Sequence, residues 1–180
     1  MKTFRSMSAT LVLLAALAAL PLRPALSAEQ SMGTPKTPNA GFDMMKSLVG
    51  DWVSPPKDGK STTVTYTLVS GGTALMEMIA EPGAPMAMVT MYHPDGDGLL
   101  MTHYCSANNQ PRMRCVKPAA GAKALSFDFV DCSNLPTPGT GHMHQLVITF
   151  EDADHLSTAW TWQEGGKSQT DTFHLTRKKS

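Results

Sequence analysis

From Trp52 to the C-terminus, apolar side chains recur at every second position, in short runs broken by glycine, proline and acidic turns. A period of two sends neighbouring side chains to opposite faces, so such a chain folds as half-buried strands rather than helices. Val64, Tyr66 and Leu68 alternate with Thr63, Thr65 and Thr67. Leu125, Phe127 and Phe129 alternate with Ser126 and Asp128. His142, His144, Leu146, Ile148 and Phe150 share one face of a later run, and Leu156, Thr158, Trp160 and Trp162 share a face of the next. Turn signals separate the runs at Ser70-Gly71-Gly72, Pro94 to Gly98, Gly121, Glu151 to Asp154 and Gly165-Gly166. The expected fold class is therefore all-β, with about ten antiparallel strands joined by hairpins. An up-and-down β-barrel is preferred to a sandwich, because closure leaves no exposed edge. Asn39 is placed to cap a short helix over residues 40–49, with Phe42, Met45 and Val49 on one face and Gly50 as its stop, plugging one end of the barrel.

The turns also predict which side chains point inward. On the strand after Ser70-Gly71-Gly72, Ala74, Met76 and Met78 are expected on the apolar face, opposite Leu75, Glu77 and Ile79. A turn centred on Gly96 sets Met91 against Met101, Val89 against His103 and Ala87 against Cys105, all facing inward. A turn near Ala153 sets Trp162 against His144 and Trp160 against Leu146. On the last strand Phe173 and Leu175 point inward, and His174 points outward.

The N-terminus has a different character. Lys2 and Arg5 precede an apolar run from Ala9 to Leu20, and Ala25-Leu26-Ser27-Ala28 offers small residues for cleavage. That is the pattern of a secretory signal peptide over residues 1–28, and its apolar run is shorter than the ~20 residues a spanning helix needs. Residues 29–38, rich in Ser, Thr, Pro and Gly, read as a flexible linker, and residues 39–180 as the barrel domain. An exported protein is expected, periplasmic or secreted, without a membrane association once the leader is cleaved. Loss of the leader leaves 12 basic against 15 acidic residues and no basic patch beyond Arg177-Lys178-Lys179, which argues against a nucleic-acid partner. In an oxidising compartment the three cysteines allow one disulfide. A hairpin centred near Gln110 would pair Cys105 with Cys115.

Leu48-Val49-Gly50-Asp51-Trp52 carries a G-x-W pattern just after the short helix. In position it resembles the lipocalin-like, or calycin, barrels, in which such a Trp closes the base. Ser70 to Ala74, Met91-Tyr92-His93, Thr102 to Cys105, Asn109 to Met113 and Leu175 to Lys179 resemble the DUF1579-type group of exported bacterial proteins. The resemblance runs from Phe42 to Lys179. It implies a lipocalin-like β-barrel and brings neither an activity nor an assigned site; Cys115 and Cys132 lie outside the shared pattern.

Three kinds of function are expected from the residues. The first is a non-enzymatic binder of a small, partly apolar molecule, in a pocket lined by Met76, Met91, Met101, His103, His142, His144, Trp160 and Trp162 with Arg112 at the rim. Methionine fills irregular apolar space adaptably, and Arg suits a carboxylate or another polar head group. The second is a metal or haem protein. The H-x-C of His103 and Cys105 and the H-x-H of His142 and His144 put ligand types on one face of each strand, fit for zinc, copper or iron; His174 is the haem candidate. The third is an enzyme with His103 or His144 as general base. No nucleophile elbow, phosphate loop or H-E-x-x-H occurs.

Overall fold

The computed structural model describes residues 38–179. The leader over 1–28 and nearly all of the linker over 29–38 lie outside the described residues. Ten strands follow one short helix α1 (Ala40–Lys46): β1 (Gly50–Val53), β2 (Thr63–Val69), β3 (Ala74–Ala80), β4 (Met88–Asp95), β5 (Gly98–Tyr104), β6 (Gln110–Cys115), β7 (Ala124–Ser133), β8 (His142–Phe150), β9 (His155–Glu164) and β10 (Lys167–Arg177). Each strand pairs antiparallel with its neighbours in sequence, and β1 meets β10 to close the barrel. The expected all-β barrel with a short N-terminal helix is what forms. Its core is the inner row of side chains, including Tyr66, Leu75, Tyr92, Met101, Met113, Phe127, Leu146 and Leu156.

One end is shut by α1. Asn39 caps it as expected, its Oδ1 accepting the Phe42 N–H at 2.8 Å. The same side chain donates through Nδ2 to Gly96 O at 3.0 Å and Gly98 O at 2.8 Å, tying the helix start to the β4–β5 turn. Phe42 and Met45 of α1 and Leu48 just after it are buried, whereas the helix ends at Lys46 and Val49, expected on their face, is exposed. Trp52 is buried and donates its indole N–H to Leu48 O at 2.8 Å. The Arg177 guanidinium lies 4.2 Å from the Trp52 ring centroid, a cation–π contact. Its nitrogens also donate to Ser47 O and Val49 O, each at 2.8 Å, and to Ala153 O at 3.1 Å. One side chain thus binds the post-helix turn, the first strand and the β8–β9 turn together.

The seam that closes the barrel is short. β1 matches four residues of β2, but only Trp52 and Val53 pair with β10, opposite Arg177 and Thr176. From Lys167 to Leu175, β10 is paired on its β9 side alone.

Two of the expected inward faces are reversed. The β4–β5 turn has two residues, Gly96 and Asp97, with Asp95 opposite Gly98 and Gly96 at φ +59°. Its centre lies between two residues and not on Gly96, and a half-step there shifts every pair by one. Tyr92 meets Met101 and Thr90 meets His103. On β5 Met101 and His103, and Cys105 just after it, are buried as expected, whereas on β4 Thr90 and Tyr92 point inward in place of Val89 and Met91. On β3, Leu75, Glu77 and Ile79 point inward; Met76 and Met78 point outward, and Met76 lies opposite Met91 on the outer face.

Candidate ligand-binding site

The register builds a polar row across the inside of four adjacent strands. Tyr66 on β2 is opposite Glu77 on β3, Glu77 is opposite Thr90 on β4, and Thr90 is opposite His103 on β5. All four are buried among apolar neighbours. The Tyr66 hydroxyl donates to Glu77 Oε1 at 2.6 Å and the Tyr92 hydroxyl to Oε2 at 2.8 Å. Thr90 Oγ1 lies 2.9 Å from His103 Nδ1. Burial pushes the Glu77 carboxyl above its ordinary range, while hydrogen bonds from Tyr66, Tyr92 and Thr90 pull it back. Burial first, then the Glu77 charge, holds both tyrosines well above the usual phenol value, so they stay protonated donors. Desolvation pushes His103 down to about 4, which leaves its ring neutral at pH 7.

His103 ends the row with an open valence. Its Nε2 is buried and has no hydrogen-bond partner. Buried polar atoms in native proteins are nearly always paired, so an unpaired nitrogen on a ring that lines a cavity is out of the ordinary. The space is there: a cavity of about 110 Å³ is lined by His103 and Glu77 together with Val64, Ile79, Met88, Met143, Trp160, Trp162 and Phe173. The His103 and Trp160 rings are 4.7 Å apart, tilted at 45°. Thr62, Glu81, Asp171 and Phe173 line both this cavity and a shallower cleft outside it, which is bounded by the β1–β2 and β3–β4 loops and β10. The mouth therefore lies where β10 lacks a partner strand, at a distance from the helix that shuts the base.

Of the sequence-predicted pocket, His103, Trp160 and Trp162 line the cavity. Met101 is buried in the core and Met76 and Met91 lie on the outer face, for the register reason given above. Arg112 is half-exposed and forms an ion pair with Asp131, its Nε donating at 2.6 Å, so it is no rim residue of this cavity. His142 and His144 leave the wall because of a β-bulge. Leu146 meets Trp160 as expected, but the register shifts between Met143 and Gln145, and Trp162 pairs with Met143. Met143 takes the lining position. The two imidazoles gather on Phe129, at centroid distances of 4.8 and 4.7 Å, with His142 Nε2 3.2 Å from His144 Nδ1.

The metal set is likewise corrected. His103, Cys105, His142 and His144 do not converge, and no group of three or more His, Cys, Asp or Glu side chains among the described residues is placed to hold a metal ion. His174, the haem candidate, points outward and is 70% exposed, 3.8 Å from Glu151. Cys105 and Cys115 are both free thiols, as is Cys132. The β5–β6 turn closes on Cys105 and Asn109 and not around Gln110, and Cys115 lies opposite Leu99, six residues back along β5. At about 3.3 Å per residue that separation is ~20 Å, far beyond disulfide reach.

The residues that sequence reasoning missed are Glu77, Thr90, Tyr66 and Tyr92. One signal was present: a lone acid between Leu75 and Ile79 in an otherwise apolar strand, at a position sharing their face.

The chain matches no family model and no curated protein. The resemblance to the exported lipocalin-like group rests on the motifs alone.

Proposed function

We propose that this is an exported, lipocalin-like barrel that binds a small, partly apolar molecule without chemically changing it. The observation that carries the reading is the cavity beside an unpartnered imidazole nitrogen. A barrel folded only for stability would fill that space with side chains, since a void of this size forfeits packing energy. Mixed lining is also the usual form of a small-molecule site: apolar walls and a few placed polar groups. Size sets the scale of the ligand. An apolar cavity of about 150 Å³ accepts benzene, so about 110 Å³ holds at most one small ring or its equivalent, with any longer part lying in the outer cleft.

Trp160 is a built-in reporter, being part of the cavity wall. Titration of the mature chain with phenol or toluene is expected to change tryptophan fluorescence saturably. Ile79→Phe, which fills the cavity from the β3 side, is expected to abolish the change while leaving the fold intact by circular dichroism. A wild-type chain that shows no saturable response to either probe overturns the reading.

A further inference from the structure

The register that takes Met76 and Met91 out of the cavity wall brings them together on the outside. Met76 on β3 is directly opposite Met91 on β4. Tyr92 points inward, so Met91 and His93, on either side of it, share the outer face. Directly opposite residues have Cβ atoms about 5 Å apart and diagonal ones about 7–8 Å, which long side chains span. Two thioethers and one imidazole therefore border a single patch of the outer wall.

His93 is arranged as a metal-binding histidine is. Its Nδ1 lies 3.0 Å from Pro94 O. A carbonyl oxygen only accepts, so in the neutral ring the proton is on Nδ1 and Nε2 is a lone pair. The ring is exposed, and Nε2 makes no hydrogen bond among the described residues. A histidine that gives one N–H to a backbone carbonyl and keeps its other nitrogen bare is the usual form of a metal ligand.

The outward methionines are not explained by packing. Neighbouring β2 turns Thr63, Thr65 and Thr67 outward, whereas β3 turns out Met76 and Met78. A flexible thioether suits irregular core space, and the outer face has none to fill. The chemistry of the donors selects the ion. Thr67 and Thr102 flank the methionines and Leu100 flanks His93. Beyond them Arg112 and Arg114 are paired with Asp131 and Asp95, so neither sign of charge is left over. Calcium and magnesium would find no free carboxylate there. Zinc takes thiolate, imidazole and carboxylate ligands, while thioethers suit copper(I).

We propose that Met76, Met91 and His93 form a surface site for a soft monovalent cation, copper(I), separate from the cavity and independent of the binding reading above. Silver(I) is the redox-inert probe. It is added to the mature Cys132→Ser chain, which lacks the least buried of the three free thiols. With carbon-13 in the methionine methyls and nitrogen-15 in histidine, one equivalent is expected to shift the signals of Met76, Met91 and His93 Nε2. Met86, 65% exposed and outside the set, is expected to stay unshifted. Copper(I) titrated without oxygen against a chromophoric chelator is expected to bind at least about tenfold more weakly to Met76→Leu, Met91→Leu and His93→Gln, the scale on which even supporting contacts of a metal site act. Met86→Leu is expected to bind as the parent does. Leucine preserves the apolar surface, so its effect separates ligation by sulfur from apolar packing. Unmoved methionine and histidine signals, which would place the metal on the buried thiols or nowhere, overturn the proposal. Parental affinity in both leucine variants, or equal shifts produced by zinc(II), overturns it as well.

Discussion

The most exacting test of the buried row is the acid dependence of stability contributed by His103. Its ring is neutral in the folded protein because burial lowers its pKa from 6.5 to about 4. In the unfolded chain the ring titrates near its ordinary value of about 6.5. Between those two values the unfolded state binds a proton that the folded state refuses. The contribution is therefore fully present above about 6.5 and is lost as the pH falls toward 4. At about 1.4 kcal/mol per pH unit, the difference amounts to about 3 kcal/mol. This is a large part of the 5–15 kcal/mol, roughly, by which a single domain is stable. The measurement is urea unfolding of wild type and His103→Leu at a series of pH values from 7.5 to 4. Subtracting the variant removes other groups, such as His144, which partial burial and His142 also lower. The stability of wild type relative to the variant is expected to fall by about 3 kcal/mol across the series. A flat difference would mean that the ring is hydrated and titrates normally, and the argument for a dry, neutral His103 would be refuted.

Further outcomes follow from other parts of the molecule. Tyr66→Phe removes one of the hydrogen bonds to buried Glu77 and is expected to cost about 2 kcal/mol. Much of that loss should disappear when the same change is made in a Glu77→Leu, Tyr92→Phe background, and a double-mutant cycle by urea unfolding measures the coupling. Glu77 itself runs opposite to His103: its folded pKa is raised, so its stabilising share is present below about 4.3 and is lost as the pH rises through the folded value, and Glu77→Gln should remove that trend. Arg177→Ala loses the stacking on Trp52 and the bonds to Ser47, Val49 and Ala153, and is expected to lower stability by about 2–4 kcal/mol, with Arg177→Lys recovering only part. Alkylation of the unfolded protein without reductant is expected to label all three cysteines. Finding Cys105 and Cys115 protected as a pair would contradict the β5–β6 register.

The architecture was largely legible in the sequence because alternation and turn chemistry are local. Asn39 as a cap, Gly165-Gly166 as the β9–β10 turn and the inward facing of Tyr66, His103, Leu146 and Trp160 all follow from residues within a few positions of one another. The site was only half legible, since it depends on which faces meet across strands. Whether the Pro94 to Gly98 turn is centred on Gly96 or between Gly96 and Asp97 is a half-residue question. It decides whether Met91 or Tyr92 points inward. The bulge before Gln145 is a similar case: nothing in His142-Met143-His144 announces it, yet it exchanges two imidazoles for one thioether in the wall. An acid in a core is costly in isolation, and the expected facing set Glu77 opposite the apolar side of its strand. It is tolerated here because two phenols, on two other strands, converge on it.

The brevity of β1 leaves a signature that amide exchange can read. From Lys167 to Leu175, alternate backbone N–H groups of β10 are directed at β9 and bonded there, while those between them look toward a vacant flank. Exchange along this strand should therefore oscillate residue by residue, slow then fast, in place of the uniform protection of a strand held on both sides. If a ligand lodged in the cavity also draws the Ser54 to Thr62 loop against that flank, the fast set should slow and the slow set should stay as it was.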